Sequence, residues 1–141
     1  MQDDRMERMK NIHASGKRKR AIARATLSQG NGLVRVNHIP VDLAEPKLSR
    51  LKLREPLILA GDMSNKVNID VDVFGGGITS QAEAARLAIA KALVEFSKSD
   101  KLKDTFLAYD RNMLVADVRR KEPAKPNRHG QARSKIQKSY R

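Results

Sequence analysis

The last 23 residues of the chain, 119–141, contain too little apolar surface to join a hydrophobic core. Their apolar side chains outside the prolines are Ala124, Ala132, Ile136 and Tyr140. Burying so few side chains does not offset an ordering entropy of ~1–2 kcal/mol per residue. We therefore predict a flexible lead-in over 1–15 and a globular domain over 16–118. The tail over 119–141 should be extended and disordered until a partner neutralises it.

Charge is distributed unevenly along the chain. The formal net charge of +13 divides into +5 for residues 1–24, zero for 25–118 and +8 for 119–141. Solubility alone would not require the positive charges to be concentrated at the two ends of the chain. Dense cationic ends favour a polyphosphate partner, because each neutralised phosphate releases counterions. The alternative, a solvated charged surface, explains the neutral middle and leaves the two ends unexplained.

The first basic cluster leads into a strand pattern. Residues 16–20 are Gly-Lys-Arg-Lys-Arg, and small or apolar side chains then alternate on one face of a predicted strand: Ala21, Ala23, Ala25 and Leu27. We expect Arg18, Arg20 and Arg24 on the opposite face, as a rigid basic stripe. The turn signal at 29–32 predicts a hairpin whose returning strand is 33–37.

Prolines punctuate the next segment. We predict one short helix near 42–52, broken or kinked at Pro46, and a second that begins near Pro56 and ends at Gly61-Asp62. The clearest strand of the chain follows, because Val67, Ile69, Val71 and Val73 alternate with polar residues.

The clearest helix follows the triple glycine at 75–77. Ser80 and Glu83 have the spacing of a capping box, which predicts Ser80 as the N-cap. Apolar side chains continue at helical spacing: Ala82, Ala85, Ile89, Leu93 and Phe96. Ser99 or Asp100 should cap one more helix containing Leu102 and Phe106, and the apolar run 113–116 predicts a last strand.

Several function classes lack the residues that they need. The chain has no cysteine, which excludes disulfides, thiolate zinc sites and a cysteine nucleophile. No apolar run approaches the roughly 20 residues of a membrane helix, and we expect neither a signal peptide nor a transit peptide at the acidic N-terminus. His13, His38 and His129 lie in separate segments without a metal-ligand partner at useful spacing. We therefore expect no cofactor, no metal and no catalytic residue.

Two patterns allow more than one interpretation. The triple glycine precedes a helix, where backbone N–H groups bind phosphate, but 78–80 is Ile-Thr-Ser, which fits neither the Walker pattern nor the dinucleotide fingerprint. A tight strand-to-helix turn and a contact to RNA phosphate both stay open. Asp70 and Asp72 share a strand face, where a solvated surface is simpler than a carboxylate pair.

Two tyrosines and three phenylalanines are too few for a platform on which RNA bases stack. RNA phosphates and RNA shape are therefore the expected targets.

Five segments, in order, resemble one protein family. They are 16–24 (Gly-Lys-Arg-Lys-Arg-Ala-Ile-Ala-Arg), Val36-Asn37, 54–57 (Arg-Glu-Pro-Leu), 75–77 with 81–87 (Gln-Ala-Glu-Ala-Ala-Arg-Leu), and the ending from Ala116-Asp117 through Ser139-Tyr140-Arg141. From about residue 16 to its end, the chain resembles small-subunit ribosomal protein nine of the universal nomenclature, in its archaeal and eukaryotic-type form.

The resemblance implies an α+β fold. The family has a four-stranded mixed sheet with helices on one face and a left-handed βαβ crossover, like domain two of ribosomal protein S-five, followed by an extended basic C-terminal tail. It implies a cytoplasmic structural constituent of the small ribosomal subunit and not an enzyme. Such a protein binds ribosomal RNA in the subunit head, beside neighbouring head proteins, and its tail reaches peptidyl-site transfer RNA during translation. No membrane and no small-molecule substrate is implied.

Carried over by position, the resemblance assigns two sets of binding residues. Ribosomal RNA is expected to contact Lys17, Arg18, Lys19, Arg20, Arg24, Arg119, Arg120, Lys121, Lys125, Arg128, Arg133 and Lys135. Transfer RNA is expected to contact Lys138, Tyr140 and Arg141. Two features depart from the family pattern: the tail centre at 126–129 lacks a glycine-rich stretch, and Val118 stands where proline is more usual.

Two alternatives come from other classes of protein. An architectural protein that coats DNA would bind DNA as strongly as RNA and persist outside the ribosome. A small phosphotransferase using the glycine turn would bind nucleotide with magnesium, but the chain lacks carboxylates placed to hold that ion.

Overall fold

The structure, a computed structural model, describes residues 11–133. Its strands are β1 (Ile12–Arg18), β2 (Ala21–Gln29), β3 (Val34–Val36), β4 (Ile39–Pro40) and β5 (Val67–Phe74). Its α-helices are α1 (Lys47–Ala60), α2 (Ile78–Ser97) and α3 (Asp100–Tyr109). Turns of 3-10 helix occupy Val41–Leu43, Gly61–Lys66 and Arg111–Met113. The predicted α+β class is confirmed, but the described residues form five strands and not four.

The five strands form one mixed sheet in the order β1-β2-β5-β3-β4. β3 and β5 are parallel, and the other neighbours are antiparallel. α2 packs across β1, β2 and β5, and α1 packs against α2. Alternate residues of β2 and β5 are therefore buried beneath the helices. α1 lies in the connection between the parallel strands β3 and β5, and the left hand of this crossover stays a prediction.

The predicted hairpin between β2 and β3 is wrong, because β5 lies between these two strands. The turn at 29–32 docks on the beginning of β5 instead. Asn68 Oδ1 accepts hydrogen bonds from the backbone N–H groups of Asn31 (3.0 Å) and Leu33 (3.1 Å). Gly30 N–H donates to Lys66 O at 2.9 Å, and a Cβ atom added to Gly30 would lie 2.2 Å from the Asn68 side chain. The turn signal was a real turn, but its partner is distant in sequence.

The prediction of two helices separated at the prolines is also wrong, because α1 is continuous. Pro46 precedes its first residue, so no helical bond is lost there. Pro56 lies inside the helix and removes one backbone donor, yet its ring is fully buried in the core. Gly61 ends α1 with a φ of 61°, which agrees with the predicted end.

α2 begins three residues earlier than predicted, with Gly77 as its N-cap and without a side-chain cap. The capping box is therefore wrong, and Glu83 is used in ion pairs described below. The predicted stripe is largely confirmed, since Ala82, Ala85, Ile89 and Leu93 are buried.

β1 and α2 approach closely at a glycine. A Cβ atom added to Gly16 would lie 2.2 Å from Ala84 O and 2.9 Å from Ala88 N. Small residues on both elements thus bring the helix onto the sheet, and Gly16 is buried in the contact.

The secondary structure at the N-terminal and C-terminal ends of the domain differs from the prediction. β1 starts at Ile12, so residues 12–15, expected in the flexible lead-in, pair with β2. The predicted last strand at 113–116 is wrong: Met113 closes a 3-10 turn and is fully buried, which explains the apolar run without sheet pairing. α3 begins after Ser99 as predicted and contributes fully buried Phe106.

Candidate nucleic-acid interface

The first basic cluster forms the turn of a hairpin. β1 and β2 pair with Arg18 opposite Ala21, which leaves Lys19 and Arg20 as a two-residue turn. Lys19 has a φ of 53°, and both turn side chains are exposed. A hairpin turn therefore presents Lys19 and Arg20 at the end of the sheet, where no other strand covers them.

The triple glycine packs against this hairpin turn. A Cβ atom on Gly75 would lie 2.5 Å from Arg20 O, and one on Gly76 would lie 3.0 Å from Ala21 N. Both glycines have positive φ values, 76° and 62°. The first interpretation of the glycines, a tight strand-to-helix turn, is therefore confirmed. The same packing places the beginning of α2 beside Lys19 and Arg20.

The start of the tail lies beside the hairpin turn and the glycine turn. An open groove of about 1110 Å³ is bounded by the hairpin turn, the glycine turn and residues 119–121. Its lining residues are Arg18, Lys19, Arg20, Gly76, Gly77, Ser80, Arg119, Arg120 and Lys121. Within the described part of the chain, six of these nine are cationic and none is acidic. We call this the cationic groove. Two basic clusters from opposite ends of the sequence meet in it.

Arg18 forms the wall of the cationic groove and is held from two sides. Its Nε donates to Glu83 Oε2 at 2.7 Å, and its Nη1 lies 3.0 Å from Asp117 Oδ2 in an ion pair without hydrogen-bond geometry. Its side chain is only 16% exposed. Lys52 Nζ also donates to Glu83, at 3.0 Å. Arg18 is therefore mostly engaged within the protein, and Lys19 and Arg20 offer the free charge.

Both carboxylates of this cluster have a lowered pKa. Burial raises the pKa of Glu83, but hydrogen bonds from Lys52 and Arg18 outweigh it, and the pKa is lowered from 4.5. Hydrogen bonds from the side chain and backbone of Arg119 lower the pKa of Asp117 to about 2. Both groups are thus charged at neutral pH and keep their cationic partners in place.

A second ion cluster joins the helices and adjoins the first, because Arg86 and Asp110 line a cavity of about 270 Å³ together with Arg18, Glu83 and Asp117. Arg86 donates to Glu55 at 2.5 Å and to Asp110 at 2.9 Å, which connects α2 to α1 and to the end of α3. Burial lowers the pKa of the Arg86 guanidinium, but the hydrogen bonds to Glu55 and Asp110 outweigh it and raise the pKa above its ordinary value. The cluster therefore ties three helical elements of the domain together through one arginine.

The predicted basic stripe is wrong as a single surface. Arg18 points toward α2, where it meets Glu83. Arg24 lies on the opposite face of the sheet, with its guanidinium 5.7 Å from the ring centre of Phe74. The reversal follows from the hairpin turn, which was read as part of a continuous strand. Phe74, expected in the core or a loop, is 50% exposed.

The tail is described as far as Arg133 and contains neither helix nor strand there. It is not fully extended, because Lys125 N–H donates to Gln131 O at 3.1 Å across a turn. Glu122 accepts from Lys125 and Arg133, both at 2.9 Å. The hydrogen bond from Lys125, then that from Arg133, lowers the pKa of Glu122. Arg128 is exposed.

The remaining predicted residues are dispersed or lie elsewhere. Lys17 is exposed on β1. Lys135, Lys138, Tyr140 and Arg141 lie outside the described residues.

Other polar residues form no site. His13 Nδ1 lies 3.3 Å from Thr26 Oγ1, and Asp70 pairs with Arg35 at 2.9 Å, which leaves Asp72 on a solvated strand face. No group of three metal-ligating side chains occurs within 11–133. Among the helices of that range, none is long and apolar enough to cross a membrane.

Two carboxylates that hold Arg18 and Arg119 at the cationic groove are not predicted by the sequence patterns. Glu83 was assigned to a helix cap and Asp117 to no role. Each is adjacent in space to basic residues that are far away in sequence, so spacing contains no signal for them. The lead-in strand was detectable, because Ile12, Ala14 and Gly16 alternate with polar residues.

The fold and the cationic groove define a class: a small α+β protein with a positive surface suited to a polyanion. The family described as ribosomal protein S9/S16 matches residues 16–141. The chain belongs to this family, in its archaeal type, and is a structural protein and not an enzyme. The family predicted from the sequence motifs is thereby confirmed.

Relatives of high identity match most of the chain. Small ribosomal subunit protein uS9 of Methanococcus maripaludis (strain C7) is 52% identical over 134 residues, which cover 94% of this chain and 100% of the relative. Small ribosomal subunit protein uS9 of Methanococcus vannielii is 51% identical over 134 residues, and the match again covers 94% of this chain and 100% of the relative.

Proposed function

We propose that this chain is a structural constituent of the small ribosomal subunit that binds ribosomal RNA in the subunit head through the cationic groove and the tail. The observation that carries the proposal is the convergence of 18–20 and 119–121 in one groove without acidic lining in the described residues. The relatives' name, small ribosomal subunit protein, supports the assignment. Neighbouring head proteins would contact the rest of the domain.

The groove suits phosphates better than bases. Arginine presents a planar fork that donates two hydrogen bonds to one phosphate, whereas lysine acts as a compact charge. Arg20, Arg120 and Lys121 are exposed there. Phosphate contacts position a protein on RNA without reading sequence, which fits permanent assembly into a folded RNA. The tail would then follow the RNA and screen repulsion between its segments, with contacts from Lys125, Arg128, Arg133 and Lys135.

A charge-matched pair of variants tests the groove. Lys19→Ala/Arg20→Ala/Arg120→Ala removes three charges from it, and Lys101→Ala/Lys103→Ala/Arg111→Ala removes three exposed charges from α3 and the turn after it. Each variant is titrated with a transcript of the small-subunit RNA head at several salt concentrations. The groove variant should reduce the slope of log K against log salt by about 2–3, because each phosphate contact contributes about 0.7–0.9. Equal losses in both variants would refute the groove as the binding surface.

Competition with DNA separates this proposal from the architectural alternative. Duplex DNA of similar length should compete at least tenfold more weakly than the RNA transcript. Equal competition would favour a protein that coats nucleic acid generally.

The end of the tail carries a second part of the proposal. Lys138, Tyr140 and Arg141 would approach transfer RNA in the peptidyl site, as the family resemblance implies. Deleting 139–141 should leave subunit assembly intact in sucrose gradients and weaken peptidyl-site transfer RNA binding to the reconstituted subunit. Unchanged affinity for transfer RNA would rule out this contact.

A further inference from the structure

Asp117 connects the domain to the tail. Its carboxylate lies 3.0 Å from Arg18 Nη1 and accepts hydrogen bonds from Arg119, at 2.9 Å from Nε, 2.7 Å from Nη2 and 3.0 Å from the backbone N–H. Only 15% of the Asp117 side chain is exposed. Arg18 is anchored in turn by Glu83 of α2. One carboxylate thus ties the first tail arginine to a side chain that is fixed to the domain.

Within the described range, the ion pair between Arg18 and Asp117 is the single ion pair or hydrogen bond between residues 117–133 and the domain before them. The other polar contacts of the tail are internal: Arg119 to Asp117, Arg120 to the Arg119 carbonyl, and Lys125 and Arg133 to Glu122. Val118, the next residue, is 84% exposed and so adds little packing. The direction of the tail therefore depends on the Asp117 contacts.

We propose that Asp117 is a positioning residue that fixes the direction in which the tail leaves the domain, so that Arg120 and Lys121 line the cationic groove beside Lys19 and Arg20. The inference deepens the proposed function and rests on it where RNA affinity is concerned. Without the Asp117 contacts the tail keeps its charges but loses its direction. RNA would then have to restrict a freely rotating junction, and that ordering cost lowers the affinity.

The direction of the tail is measurable without RNA. The chain contains no cysteine, so a spin-label pair at Asp104→Cys in α3 and Ala124→Cys in the tail is unambiguous, and both positions are exposed. Asp117→Asn should broaden the distance distribution between the labels at least twofold. Asp62→Asn, which removes an exposed charge far from the tail, should leave its width unchanged. Arg18→Lys keeps the charge but replaces the two nitrogens that meet Glu83 and Asp117, Nε and Nη1, with one ammonium, so it should broaden the distribution as well.

RNA affinity supplies the second measurement. Asp117→Asn makes the protein more positive, so electrostatics alone predicts tighter binding, as for Asp62→Asn. Positioning predicts the opposite: a threefold to tenfold weaker binding of the head transcript by Asp117→Asn. An unchanged distance width in both Asp117→Asn and Arg18→Lys, with circular dichroism showing that they fold, would overturn the proposal. If the distribution broadens while no variant affects RNA binding, the positioning role holds and the proposed function fails.

Discussion

Gly16→Ala tests whether the close contact between β1 and α2 controls the stability of the domain. The added Cβ would lie 2.2 Å from Ala84 O, more than 1 Å inside an ordinary contact of about 3.5 Å. It would also lie 2.9 Å from Ala88 N and 3.1 Å from Leu87 Cβ. Two of these three atoms are helix backbone, so relief requires α2 as a whole to move off the sheet.

Overpacking of this kind costs about 1–3 kcal/mol, and we expect the upper end because no flexible side chain can give way. For a domain of this size, that loss lowers the melting temperature by roughly 10 °C. Urea denaturation should show a lower midpoint with an unchanged m-value. Gly77→Ser is the control, because no atom lies within 4 Å of its Cβ position and serine caps helices well. A Gly16→Ala protein within about 0.5 kcal/mol of wild type would refute the reasoning.

Three further predictions concern stability. Phe106→Ala should cost about 3–5 kcal/mol in urea denaturation, since Phe106 is fully buried, whereas Leu107→Ala, at a 37% exposed position, should cost far less. Asn68→Ala should cost about 1–3 kcal/mol by the same assay, because two backbone N–H groups lose their acceptor. The pKa of Glu83 is lowered by folding, so its contribution is present above pH 4.5 and lost as the pH falls through the lower folded value. Glu83→Gln should accordingly flatten the decline of the unfolding midpoint below pH 4.5, and an unchanged decline would contradict the ion-pair assignment.

Patterns of short range predicted much of the fold. The alternation of apolar and polar residues predicted β5 and the buried face of β2, and apolar residues at helical spacing predicted α2 and α3. These elements were accessible because one face of each is buried, and burial leaves its period in the sequence. The family motifs added the α+β class.

Features that depend on distant partners were not accessible in this way. The turn signal at 29–32 predicts a hairpin, because nothing local shows that Asn68 supplies its acceptor. Glu83 was read as a cap because its spacing from Ser80 fits, although Arg18 and Lys52 compete for the carboxylate in three dimensions. Each basic cluster of the candidate site was visible in the sequence. Their meeting in one groove was not, since it requires the hairpin turn, the glycine turn and Asp117 together.

The position of β5 in the sheet has a consequence for how the chain folds during its own synthesis. β5 pairs with β2 on one side and β3 on the other, yet it is made after both. A nascent chain that ends before Val67 therefore holds two separate pieces of sheet, each with an unpaired edge open to other chains. The middle strand closes both edges as it emerges, and α2, which follows it after three glycines, covers the buried face. The domain should consequently form in a single late step, once residues through Ser97 have left the ribosome that makes it.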